Sequence, residues 1–174
     1  MKKKHLLGLL LMAMAVGVGF VSCERDDGSE GIEFRMRNSD NGNDIISLLQ
    51  VDTSYYIGET FVHEKYRTTL YLTSSNNFKV IESWEIVSIF YDTYDGHIAC
   101  IGNVNSLSEI KTIPNSGWTS SEVAVHPGQG YVIQNKHGDF CRYARLYVED
   151  WIESTDGGII GAVIRYQDNW KIEE

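Results

Sequence analysis

Seven consecutive residues alternate so regularly that they leave little choice of backbone. Ala144, Leu146 and Val148 fall on one side of an extended chain, and Tyr143, Arg145, Tyr147 and Glu149 on the other. A helix would scatter these side chains around its axis, whereas a strand sorts them into an apolar and a mixed face. The same period of two recurs at Ile32, Phe34 and Met36 against Glu33, Arg35 and Arg37. It returns at Ile160, Ala162, Ile164 and Tyr166.

Between these stretches, turn signals punctuate the chain at short intervals. Asn41-Gly42 is a pair that tolerates positive φ, and residues 45–51 read as the returning strand of a hairpin with 32–36. The pattern weakens over 55–73, and Ser74, Ser75, Asn76 and Asn77 close it. Residues 78–83 and 85–91 are rich in β-branched and aromatic side chains and read as two strands. Residues 92–96 form the next turn, with 97–104 returning as the partner. Ser106 and Glu109 have capping-box spacing, but Pro114 and Gly117 leave room for little more than one helical turn. Short strands follow at 122–125 and 131–136, and His137-Gly138-Asp139 turns the chain into 143–149. Asp156-Gly157-Gly158 then reverses it into 159–167. These elements predict an all-β fold with negligible helix after the leader, a single antiparallel β-sandwich or a partly closed β-barrel over residues 32–174.

The first 31 residues read differently. Lys2, Lys3 and Lys4 precede an unbroken apolar run over 6–21, the pattern of a secretory signal, and the run is short of the ~20 residues that span a bilayer. Phe20-Val21-Ser22-Cys23 resembles the lipobox of bacterial lipoproteins, with Phe20 where leucine is usual. The resemblance implies a signal peptide over 1–22 and acylation of Cys23, hence attachment to a membrane. The alternative is ordinary cleavage nearby, leaving Cys23 a free thiol. Glu24, Arg25, Asp26, Asp27, Gly28, Ser29, Glu30 and Gly31 hold too little apolar surface to fold and read as an acidic tether over 23–31. The acidic start resembles the export signal that sends lipoproteins of Bacteroides-type bacteria to the outer face of the outer membrane. A periplasm-facing lipoprotein is the alternative location.

Removing Lys2, Lys3 and Lys4 leaves 12 basic against 24 acidic residues, a net charge of −12. Such a surface repels nucleic acid and anionic headgroups, so neither is expected as a partner. Cys100 and Cys141 remain after Cys23, and outside the cytoplasm the pair admits either a disulfide or two separate thiols. Asp40 and Asp44 fall short of a calcium-ligand set, and no cysteine–histidine spacing suggests zinc, so no cofactor or metal is expected.

A wider resemblance covers residues 101–170. Ile113-Pro114-Asn115-Ser116-Gly117-Trp118, Val123-Ala124-Val125-His126-Pro127-Gly128-Gln129-Gly130-Tyr131-Val132, Tyr143-Ala144-Arg145-Leu146-Tyr147-Val148 and Gly157-Gly158-Ile159-Ile160-Gly161-Ala162, ending in Tyr166-Gln167, carry it. They resemble the C-terminal half of a family of exported Bacteroides-type proteins classed only as a domain of unknown function. The turn around 38–46 is also similar to that family, and 55–91 matches it poorly. The resemblance implies an all-β envelope protein and brings no activity with it.

Catalytic motifs are absent from the sequence: no Gly-x-Ser-x-Gly, His-Glu-x-x-His or phosphate loop occurs. His97, His126 and His137 fall in or beside turns, and Asp92 with Asp95, or Glu149 with Asp150 and Glu153, form acid runs on solvated stretches. The expectation is therefore a non-catalytic binding or interaction module. The alternatives are a subunit of a surface fibre or envelope complex, and a surface hydrolase using carboxylate or histidine chemistry. Tyr143, Arg145 and Tyr147, helped by Trp118 or Trp151, would make a stacking platform for a glycan or a surface protein if their face is open. The competing reading puts that face beneath a second sheet, with Arg145 paired to Glu149.

Overall fold

The computed structural model describes residues 30–42, 44–86, 90–137 and 140–171; Cys23 and the leader lie outside them. Among the described residues, ten strands and one 3₁₀ turn follow in the order β1 (Ile32–Arg37), β2 (Ile45–Ile57), β3 (Thr60–Leu72), β4 (Asn77–Ile86), β5 (Phe90–Asp95), β6 (His97–Asn103), the 3₁₀ turn (Leu107–Glu109), β7 (Val123–Ala124), β8 (Gln129–His137), β9 (Phe140–Glu153) and β10 (Ile159–Gln167). One antiparallel sheet runs β1-β10-β9-β8-β6. The second runs β2-β3-β4-β5, with β7 added to β4. The two sheets pack face to face without closing into a barrel, so the protein is a β-sandwich.

The core lies between the sheets. Ala144, Leu146 and Val148 of β9 and Ala162 and Ile164 of β10 meet Ile46 and Leu48 of β2, Leu70 and Leu72 of β3, and Phe78 and Val80 of β4. Each large apolar side chain removed from water in this layer stabilises the fold by ~1.5–3 kcal/mol. Tyr131 is the largest fully buried side chain and packs edge-to-face on Phe78 at 5.2 Å. Its hydroxyl accepts the N–H of His126 at 3.2 Å and lies 2.9 Å from the carbonyl of Ala124. That ties β8 to the strand-like segment before it.

Several sequence expectations are corrected by the pairing. β1 and β2 do not form a hairpin: β1 pairs with β10 from Ile32↔Tyr166 to Arg37↔Gly161, while β2 pairs with β3. The Asn41-Gly42 turn instead carries the chain from one sheet to the other, because both strands must present an apolar face to the same core from opposite sides. Residues 55–73, weak as a pattern, hold the end of β2 and all of β3, joined by a two-residue turn in which Gly58 takes φ 61°. Residues 78–83 and 85–91 are not two complete strands; β4 is continuous to Ile86, and β5 occupies 90–95, where a turn was expected. β6 does not pair with β5 but crosses to the other sheet beside β8. Gly96 makes this crossing: a Cβ there would come within 2.5 Å of Val80 Cγ1.

β2 carries a bulge. Leu49 adopts φ 51°, and the register with β3 shifts between Leu48 and Val51. The extra residue lets Leu48 and Leu49 both be buried, and the freed N–H of Leu49 donates to Asp168 at 2.8 Å. Past this point the β2–β5 sheet leaves its partner. The buried bond from Asn135 Nδ2 to Thr68 Oγ1, 2.7 Å, marks the end of the shared core. Beyond it β3 continues through 60–67 as part of an arm built with residues 51–57, 82–86 and 90–95.

Candidate functional site

The face of β9 that bears Tyr143, Arg145 and Tyr147 is occupied. What covers it is not a second sheet but the segment from Val104 to Trp118, with Trp170 closing the end. Leu107, Ile110, Val132 and Trp170 form a small second core here, with Ile113, Trp118, Tyr143 and Tyr147 packed around it. Arg145 is 8% exposed. Its Nη1 donates to the carbonyl of Ile110 at 2.7 Å, its Nε donates to Gln167 Oε1 at 2.8 Å, and its guanidinium lies 5.3 Å from the ring centre of Trp170. The planar fork thus supplies a donor to a loop carbonyl that would otherwise be buried without one.

Glu149, the partner expected for Arg145, pairs with Arg165 instead, and Arg165 also reaches Glu33 at 3.3 Å. Trp118 donates its indole N–H to the carbonyl of Pro114 at 3.0 Å and tilts against Tyr143 at 6.3 Å between centroids. Trp151 lies on the opposite face altogether, against the main core. The cause is a register shift between Val163 and Ile164 on β10, which inserts one residue in β9 and reverses its alternation after Val148. The five residues expected to form a platform are therefore divided between two faces, and Tyr143, Arg145 and Tyr147 on the outer face of β9 are largely covered.

Two open pockets border this region. One, of about 340 Å³, is lined by Ser106, Ser108, Tyr147, Glu149 and Arg165, and the other, of about 430 Å³, by Cys141, Tyr143, Asn169 and Trp170. Cys100 and Cys141 do not form a disulfide; both are free and exposed. Cys100 stands opposite Tyr131 and Cys141 opposite Lys136, on either side of β8. Five residues of strand separate those levels, about 17 Å, far beyond the ~7 Å a disulfide allows. Cys141 Sγ instead lies 3.0 Å from the hydroxyl of Tyr143. Asp44 accepts the N–H of Arg37 at 3.1 Å as a turn carboxylate, and no cluster of three metal-binding side chains occurs among the described residues.

The arm offers what β9 does not. Nine large hydrophobic side chains are exposed among the described residues, and seven of them lie on it: Tyr55, Tyr56, Ile57, Phe61, Phe90, Tyr91 and Tyr94. Its inner face continues the plane of the core and carries Tyr55 from β2, Glu64 and Tyr66 from β3, Glu82 and Trp84 from β4, and Phe90 and Tyr94 from β5. Tyr66 and Trp84 stack at 6.2 Å with their planes 7° apart, and Phe90 leans on Trp84 at 4.9 Å. Glu64 takes a hydroxyl on each oxygen, from Tyr55 at 2.6 Å and from Tyr66 at 3.0 Å. Burial, reinforced by that carboxylate, raises the Tyr66 hydroxyl well above the ordinary phenol range.

At the root of the arm, Glu82 is 2% exposed. Burial pushes its carboxyl up to about 7, and a hydrogen bond with Tyr94 opposes the shift. Glu82 alternates correctly for a core-facing position, and only its charge is out of place. An acid at an inward register position was the available signal. Comparison of the chain with protein-family models, with curated proteins and with solved structures finds no match. The class defined by the fold is thus a two-sheet antiparallel sandwich with one sheet prolonged into an aromatic arm.

Proposed function

We propose that the protein is a lipid-anchored binding module of the outer membrane, held by acylated Cys23 with its body facing the cell exterior, and that its binding surface is the arm. The observation that carries this reading is the concentration of exposed aromatic and aliphatic side chains on the arm, with Tyr55, Phe90 and Tyr94 sharing its inner face. An apolar area of this kind on a soluble surface marks an interaction site. The Lys2–Lys4 head, the apolar run and Ser22-Cys23 support the anchor, and the acidic residues after Cys23 support the outward face. Rings whose margins carry hydroxyl–carboxylate pairs, Tyr55 and Tyr66 on Glu64, suit the apolar face and the hydroxyls of a sugar, so a polysaccharide is the ligand class. Two of the three carboxylates of the inner face, Glu64 and Glu82, are engaged by tyrosine hydroxyls, and the third, Asp92, stands opposite Trp84 on β5, which supports binding over a pair of free acids for hydrolysis.

A second reading, a subunit of a surface fibre or envelope complex with a protein partner, draws on β5. It is the edge of its sheet and is exposed at all six residues, the situation in which a strand from another chain can add. Two measurements test the main proposal. Labelled palmitate should enter the parent chain and not Cys23→Ala. On a polysaccharide array, Tyr55→Ser with Phe90→Ser should abolish retention; retention unchanged by that pair, or absent in the parent, removes the glycan reading.

A further inference from the structure

The β2–β3 hairpin has a peculiarity at its tip: it is apolar on both faces. Tyr55 and Ile57 project from the inner face, while Tyr56 and Phe61 project from the outer one, where they meet edge-to-face at 5.3 Å. Tyr56, Ile57 and Phe61 are 70%, 64% and 55% exposed. Between Asp52 and Glu64 the sole formal charge is Glu59. The turn at Gly58 and Glu59 is tight, so a single exposed carboxylate, not a longer polar loop, caps the end. A folded partner laid on one face of a two-stranded ribbon leaves the opposite face in water. A fluid layer surrounds the tip and shields both.

The tether leaves the sandwich on the side of this tip. β1 starts at Ile32 opposite Tyr166, close to Asp168, which holds the N–H of Leu49 where the arm departs. The other end of β1 is at the far end of the sandwich, where Asn38 donates to Asn76 Oδ1 at 3.2 Å. Gly31 therefore sits near the level of the β2 bulge, and the tip lies about 30 Å further on, nine residues at ~3.3 Å each. Cys23 precedes Gly31 by eight residues, which span at most about 28 Å. A body held by Cys23 cannot be lifted clear of the membrane by more than the arm is long.

We infer that Tyr56, Ile57 and Phe61 seat in the interfacial layer of the same bilayer that holds Cys23, giving the protein two membrane contacts, one covalent lipid and one hairpin. Tyrosine suits that layer, its ring among acyl chains and its hydroxyl among headgroups. The inference rests on the lipid-anchor reading. With the tip planted, the inner face of the arm opens sideways along the membrane instead of outward.

The test uses the full chain, purified from membranes with its anchor and reconstituted into phosphatidylcholine vesicles containing a diazirine-bearing phosphatidylcholine. After irradiation, peptides are mapped by mass spectrometry. Acylated Cys23 and lipid adducts on the 55–61 peptide are expected, with adducts on the 154–158 turn at the opposite end of the sandwich at background. Tyr56→Ser with Ile57→Ser and Phe61→Ser should lower the tip adducts about tenfold while the melting curve stays unchanged, and Ile57→Ser alone should lower them in part. Acylated Cys23 with tip adducts no higher than those on 154–158 overturns the membrane contact and leaves the anchor standing. An unacylated Cys23 overturns both.

Discussion

Two tyrosine-bearing faces of this molecule look alike on paper and differ in space. The outer face of β9 carries Tyr143 and Tyr147 with Arg145 between them; the inner face of the arm carries Tyr66, Trp84 and Tyr94 with Glu82 among them. The first is roofed by residues 104–118, whose carbonyl at Ile110 is held by Arg145. The second outruns the opposing sheet at the Asn135–Thr68 bond. The difference teaches that a buried charge marks a covered face when its partner belongs to the cover. Arg145 is satisfied by the segment that hides it, whereas Glu82 hides at the root of the open arm, with Oε1 lacking a partner among the described residues.

The comparison can be broken first at the body of the sandwich. Leu146→Ala removes a fully buried side chain from the layer that both sheets share, and should lower stability by about 3–4 kcal/mol in urea denaturation. A loss below about 1 kcal/mol would mean that the sheets are not packed through β9.

Glu82 gives the next largest effect, through pH. Its carboxyl titrates near 4.5 in the unfolded chain and is raised to about 7 in the folded protein, so between these values the folded state binds the extra proton. Its contribution to stability is therefore fully present below about 4.5, is lost as pH rises through about 7, and is constant above. At roughly 1.36 kcal/mol per pH unit the fall is about 3 kcal/mol. Glu82→Gln should flatten the curve, most visibly at pH 8, where the variant would be the more stable protein. A parent curve that rises over this window would refute the burial of the acid.

Arg145→Met comes third. It leaves the Ile110 carbonyl and Gln167 without their donor, at a cost of about 2 kcal/mol, and should speed hydrogen exchange at 107–113 while leaving the arm unchanged. Exchange unchanged at those residues would detach the cover from Arg145.

The smallest effect belongs to the tip. Tyr56→Ser with Ile57→Ser should shift stability by no more than about 0.5 kcal/mol, because both side chains are largely in water. A larger loss in the free protein would show the tip packed on something, and would merge the two regions that the structure separates.

Much of the sandwich is legible in the chain. Alternation at 143–149 assigns Leu146 and Val148 to the core, and the turn signals His137-Gly138-Asp139 and Asp156-Gly157-Gly158 announce two hairpins, β8–β9 and β9–β10, whose pairings follow directly from them. The β1–β2 hairpin failed as an expectation because a turn residue pair fixes a reversal of direction, not the sheet to which the next strand belongs. Trp151 was misplaced because a bulge changes the parity of every residue after it, and no feature of residues 149–150 declares it. The arm escaped notice because its strands are exposed on both faces through 52–57 and so lack the contrast that alternation needs.

What the chain determined alone is its class. Residues alternating at period two, interrupted by turn formers, cannot bury their apolar side in anything but packed sheets. Coverage came from long-range packing: which face meets another layer, which thiols are near each other, and where one sheet outlasts its partner. Those outcomes depend on contacts between segments tens of residues apart, and their free energy is set by the third segment that arrives, which no local pattern encodes.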